Sequence, residues 1–110
     1  MKSHGLVIDY RYCTGCHSCE IACRNELGLA QDEWGVKLAQ IGPLKMRDAW
    51  EWSYIPYPTH LCTLCEDRIA RGAKPACAQS CLAACMEAVP VDEISERMKK
   101  LGGMAVCFLP

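Results

Sequence analysis

The sequence contains no apolar run that approaches the roughly 20 residues of a membrane-spanning helix. No twin-arginine pair opens it, and residues 1–4 lead straight into a strand-like segment instead of a leader peptide. We therefore expect no direct membrane span and a cytoplasmic location, with export bound to a partner as the alternative.

Groupings that carry enzyme or nucleic-acid chemistry are also missing. No Ser/His/Asp set, phosphate loop or paired carboxylates stand out, so catalysis by the chain alone is not predicted. Twelve basic and thirteen acidic residues give a formal charge of −1, whereas nucleic-acid-binding modules are basic. These absences disfavour both classes of protein.

Ordinary core residues are scarce as well. Hydrophobic residues fill 51% of the 110 positions, but that fraction includes ten cysteines. We expect one domain over residues 1–110, and small folds short of core residues usually depend on staples such as metal sites. Metal binding would then supply folding free energy, so the metal-free chain should be largely disordered.

Four of the ten cysteines fall within eleven residues, at Cys13, Cys16, Cys19 and Cys23. Thiolates spaced in this way ligate cubic iron–sulfur clusters, and in two-cluster ferredoxins the fourth cysteine ligates the other cluster. The run therefore requires a second group of cysteines. That group must supply three ligands to the second cluster and one ligand to the first.

A second group of cysteines meets that requirement. Its members are Cys62, Cys65, Cys77 and Cys81. The predicted ligands of the first [4Fe-4S] cluster are Cys13, Cys16, Cys19 and Cys81. The predicted ligands of the second [4Fe-4S] cluster are Cys62, Cys65, Cys77 and Cys23. Two clusters on eight thiolates would lower the charge of the chain to about −5.

Cys85 and Cys107 are left over, and we expect both to be buried apolar residues that cluster assembly does not need. Helical spacing would nevertheless place Cys85 on the same face as Cys77 and Cys81. Because eight thiolates satisfy two clusters, the histidines should be solvated or hydrogen-bonded. The histidines are His4, His17 and His60.

Disulfides and zinc sites are two other uses of closely spaced cysteines. Disulfides are disfavoured because dense cysteines in a chain without a secretory signal usually bind metal. Tetrathiolate zinc sites use CxxC pairs but seldom need three cysteines at this spacing. A zinc-stabilised interaction module is therefore the alternative of a different class.

The predicted elements indicate an α+β domain with an inserted β-hairpin-like segment at about residues 29–61. Trp50, Trp52 and Tyr54 alternate with polar residues there, which predicts a strand with an aromatic face. That face suits an internal core or a docking surface equally. The predicted strands cover residues 5–9, 35–41, 50–54 and 104–109. The predicted helices cover residues 19–27, 66–71, 76–87 and 91–101.

The cysteine run that begins at Cys13 resembles the first cluster motif of two-cluster ferredoxin modules. Residues 60–81 resemble the CxxC-x-D-R…G…P-x-C-x3-C element of the iron–sulfur subunits of the dimethyl sulfoxide reductase family of molybdopterin enzymes. The likeness covers residues 6–28 and 58–90. Those subunits usually carry four clusters, and proline usually follows the last cysteine of each group, where this chain has Arg24 and Leu82.

This resemblance implies a ferredoxin-like fold and a chain that passes single electrons to or from a catalytic oxidoreductase subunit. It favours a molybdopterin enzyme as the partner. A flavoprotein partner, or action as a free ferredoxin, is the alternative.

Overall fold

Two antiparallel sheets frame the chain in the computed structural model, which describes residues 4–110, so residues 1–3 of the predicted domain lie outside the described residues. The described residues form five strands and four α-helices, which confirms the small α+β class. In chain order the elements are β1 (His4–Asp9), α1 (Ser18–Leu27), β2 (Val36–Met46), β3 (Ala49–Pro58), α2 (Glu66–Ala70), α3 (Ala76–Ser80), β4 (Met86–Pro90), a 3-10 turn (Val91–Glu93), α4 (Ile94–Leu101) and β5 (Ala105–Phe108).

The first sheet has β1 at its centre, between β4 and β5. Its apolar run buries Leu6 and Ile8 on the face that carries the cysteine core, and Val7 on the opposite face. The opposite face lies against α4, where a side chain at Gly5 would meet Ile94 Cδ1 at 2.7 Å. A strand buried on both faces fits the predicted continuous apolar run.

The second sheet is the hairpin of β2 and β3, paired from Val36 opposite Pro58 to Met46 opposite Ala49. The prediction that its first strand ends before Gly42 was wrong, since the strand continues past an irregularity in register to Met46. The strand survives the interruption because residues beyond it regain partners on β3. The hairpin as a whole matches the predicted insertion.

The predicted helix over residues 76–87 was also wrong in its second half. Helix α3 ends at Ser80, Cys81 adopts an extended backbone, and β4 begins at Met86. Residues 86–90 pair instead with β1, and the amide of Asp9 donates to the carbonyl of Cys85 at 2.8 Å. Hydrogen bonds to a distant strand therefore outweigh local helical spacing here.

Helix α1 confirms the helix predicted over residues 19–27, and Gly28 ends it in the left-handed conformation. Helix α4 confirms the later part of the helix predicted over residues 91–101, after a 3-10 turn. Across residues 4–110, every helix is too short or too polar to cross a membrane.

Candidate functional site

Nine of the cysteines line two separate internal voids. The two voids are similar in size. The cysteines of the first void are Cys13, Cys16, Cys19, Cys81 and Cys85. The cysteines of the second void are Cys23, Cys62, Cys65 and Cys77. The structure thus brings each predicted ligand set together, with Cys23 and Cys81 crossed over, and adds Cys85 to the first set.

Helix α1 supplies one cysteine to each void. Cys19 and Cys23 lie four residues apart, so their side chains are one turn apart along the helix axis. Ahead of the helix, Gly15 and His17 both have positive φ angles, of 77° and 65°, which fold the loop back on itself. A side chain at Gly15 would meet the ring of Tyr54 at 3.0 Å, so the loop and the hairpin are packed closely.

The loop that starts at Cys62 turns in a similar way. Leu64 and Cys65 have φ angles of 61° and 51°, and the amide of Leu64 donates to Cys62 Sγ at 3.3 Å. Amide donors to cysteine sulfur are one of the means by which proteins adjust iron–sulfur clusters. The loop therefore presents both sulfur and backbone N–H groups to the second void.

A second turn brings Cys81 and Cys85 together after α3. Ala84 has a φ of 54°, the two sulfurs lie 3.5 Å apart, and the amide of Cys85 donates to Cys81 Sγ at 3.5 Å. The helix face predicted to carry Cys77, Cys81 and Cys85 does not exist, because α3 ends before Cys81. The turn, rather than a helix, places Cys85 beside the first void.

Cys107 lies away from both voids. It is the register partner of Val7, so it occupies the sheet face opposite Leu6 and Ile8. Cys107 is only partly buried, whereas Cys85 is 5% exposed and belongs to the cysteine core. The expectation of burial holds fully for Cys85 alone, and the dispensability of both for cluster assembly stays a prediction.

The base of the hairpin closes both voids. Val36 lines the second void, and the paired residues Leu38 and Pro56 line the first. A side chain at Gly35 would stand 2.5 Å from Cys23 Sγ, so only glycine fits there. The contribution of the insertion to both voids was not predicted, although the alternation of Val36 and Leu38 on one strand face is a signal for it.

A buried carboxylate joins α1 to the hairpin. Glu20 is 2% exposed, and its side chain accepts a hydrogen bond from the amide of Leu38 at 2.7 Å. His17 Nδ1 lies 2.6 Å from Glu20 Oε1, and Lys37 Nζ lies 3.4 Å from Oε2. Burial alone would raise the pKa of Glu20, but these partners together hold it below its usual value. The hydrogen bond of His17 agrees with the expectation for that residue.

Burial raises the pKa of the most deeply placed thiols of the voids. Burial raises the pKa of Cys19 to about 12 and that of Cys23 to about 11, and it raises the pKa of Cys77 further. Cys16, by contrast, is exposed, and a hydrogen bond with Ser18 lowers its pKa. Metal binding at either void would therefore release protons.

The donor set fits a thiolate-ligated cluster. Each void has an otherwise mainly apolar wall, including Leu6 and Leu64 around the second and Met86 beside the first. Soft thiolate donors suit iron–sulfur clusters and zinc alike. Within the described residues, no three or more His, Cys, Asp or Glu side chains form a group that could hold a single metal ion as they stand.

The aromatic residues of β3 divide between surface and interior. Trp50 and Trp52 are 66% and 58% exposed, so neither is a core residue. Tyr54 is half-buried and packs on the loop at Gly15. Leu44 and Met46 on the neighbouring strand are also exposed. The tip of the hairpin therefore carries exposed apolar side chains on both faces of the sheet.

No protein-family model matches this chain, and a search of curated proteins finds no significant match.

Proposed function

We propose that this chain is a ferredoxin-like electron-transfer subunit that carries two [4Fe-4S] clusters. It passes single electrons to or from the catalytic subunit of an oxidoreductase. One observation carries the proposal: two voids of similar size are each lined by one of the two predicted sets of four cysteines. A crossed arrangement of this kind is the one used by two-cluster ferredoxins.

The chain's own residues would supply the thiolate ligands of the clusters, the apolar wall around them and the hydrogen-bond donors to their sulfurs. Bound clusters would contribute one-electron redox chemistry. The hairpin base and the apolar side chains around the thiols restrict solvent, and solvent access and hydrogen bonds to sulfur adjust cluster potential. The amide of Leu64, which donates to Cys62 Sγ, is one such donor at the second void.

The first void is the better placed for exchange of electrons with a partner. Cys16 is exposed, whereas no cysteine of the second void is. The first void also lies under Leu38 and Pro56, on the hairpin whose tip exposes Trp50 and Trp52. Exposed apolar surface and aromatic residues are typical of protein interfaces. We therefore assign the partner to this side of the molecule.

A molybdopterin enzyme is the favoured partner because the element over residues 60–81 resembles that of the iron–sulfur subunits of such enzymes. A flavoprotein partner, or action as a free ferredoxin, is the alternative within the same class. Affinity purification of the tagged chain from its native host distinguishes these. A large subunit that contains molybdenum supports the proposal, a flavin-containing one supports the alternative, and a chain without any partner supports the free ferredoxin.

Metal and colour test the cofactor directly. The purified chain should be brown, should hold about eight irons and eight acid-labile sulfides, and should lose visible absorption on reduction. Cys107→Ser is the matched control, because Cys107 lies on the far face of the sheet and its loss should leave the metal content unchanged. A colourless protein that holds two zinc ions would refute the proposal in favour of the interaction module.

A further inference from the structure

The first void has one more thiol than a four-ligand cluster needs. Cys85 and Cys81 both line it, with their sulfurs 3.5 Å apart. The second void has four cysteines and no fifth within its lining. The two sites therefore differ in the number of thiols that face them, and the surplus lies at one position.

Cys85 is also the more deeply buried of the two cysteines. Its carbonyl accepts a hydrogen bond from the amide of Asp9 on the central strand, and it is 5% exposed. Cys81 is half-buried and lies in the turn that follows α3. The positive φ of Ala84 turns the chain so that both sulfurs reach the same void.

Building on the function proposed above, we propose that Cys85 is an alternative fourth ligand of the first cluster. Either Cys81 or Cys85 can complete the site. In the exchange, the sulfur of Cys85 bonds to the iron that Cys81 leaves, and the proton that Cys85 releases passes to the sulfur of Cys81. No electron moves, and the cluster keeps four thiolates and its charge.

A role as an alternative ligand accounts for the thiol at Cys85. An apolar side chain would fill a buried position equally well, but only a thiol can bind iron. The first site, whose edge at Cys16 is exposed, would then tolerate damage to Cys81. The second site has no fifth cysteine among the residues that line it.

Three variants of the full chain test this, with alanine chosen because it removes the ligand atom entirely. Cys81→Ala and Cys85→Ala should each keep about eight irons, whereas the double variant should keep about four. Electron paramagnetic resonance should show a changed but present first cluster in Cys81→Ala, because the ligand geometry differs. Cys77→Ala is the matched control at the second void, where loss of one thiol should remove at least about four irons.

A Cys81→Ala protein with about four irons, equal to the double variant, would overturn the inference while leaving the proposed function intact. A wild-type chain without iron would overturn both. If Cys81→Ala does not accumulate as folded protein, the pair Cys81→Ser and Cys81→Ser/Cys85→Ala replaces it. Equal iron content in that pair again refutes a role for Cys85, and loss only in the double supports it.

Discussion

The two cysteine-lined voids are built alike but sit differently in the molecule. The second void is surrounded by core residues such as Leu6, Val36 and Leu64. The first void reaches the surface at Cys16 and adjoins the hairpin through Leu38. The second site therefore lies at the centre of the fold, whereas the first lies close to its surface. Loss of ligands should therefore have unequal consequences.

The largest expected effect is the difference between removing a thiol from the second void and removing one from the first. Cys77→Ala removes a deeply buried predicted ligand at the second void. We expect this chain to lose iron and to fail to fold, because a metal site of this kind supplies folding free energy. Cys16→Ala removes the exposed ligand of the first void and should keep about four irons in a folded chain. Circular dichroism and iron analysis measure both, and similar behaviour of the two variants would break the comparison.

The crossed assignment predicts the next largest effect. Cys16→Ala combined with Cys19→Ala should damage one cluster and keep about four irons, because both ligands line the first void. Cys16→Ala combined with Cys23→Ala should damage both clusters, although Cys23 lies only one turn from Cys19. Spectroscopic cluster counting on the two double variants decides, and the reverse result would mean that each contiguous motif binds its own cluster.

Two glycines allow each void to be disturbed without removing a ligand. Gly35→Ala should impair the second site, because its new methyl group would lie 2.5 Å from Cys23 Sγ. Gly15→Ala should impair the first site by straining its loop, at a cost of about 1–3 kcal/mol in the free energy of folding. Residue 15 has a φ of 77°, and a methyl group there would press on Tyr54. Gly103→Ala is the control, since nothing lies within 4 Å of its added carbon. Redox titration of each cluster should show which site responds, and a response of the other site contradicts the assignment.

The smallest effect on the chain itself is expected at the hairpin tip. Trp52→Ala should leave iron content unchanged and alter the free energy of unfolding by no more than about 0.5 kcal/mol, because the side chain is 58% exposed. Association with the partner subunit should weaken by about 2 kcal/mol or more. Co-purification yield and titration of the isolated subunits measure this loss of association. Lys45→Ala is the control, because it changes a polar residue that pairs with Trp50 on the neighbouring strand. Loss of iron in Trp52→Ala would show that the tip supports the fold.

Much of the site could be predicted because cysteine spacing is a local property of the sequence. The run from Cys13 to Cys23 leads into helix α1, which Gly28 ends, and both features follow from neighbouring residues. Strand β1 was predicted equally well, because it is a short apolar run. The hairpin followed from the alternation of aromatic and polar residues around Trp52.

The errors arose where distant residues decide the structure. Residues 81–87 have helical spacing of cysteines, but hydrogen bonds to β1 draw Met86 into a strand, and no local pattern reports that partner. The position of Cys85 beside the first void depends on the same pairing. The contribution of Val36 and Leu38 to the voids depends on how the hairpin folds back over α1, which is likewise a matter of tertiary packing.

Helix α1 has a consequence for how many electrons the chain can hold. Cys19 and Cys23 are separated by four residues, or about 6 Å of helix axis, so the two voids are held close together by a rigid element. With a cluster at each, an electron on one raises the electrostatic cost of an electron on the other in this low-dielectric interior. Reduction would then be anticooperative, and the second electron would enter only at a lower potential.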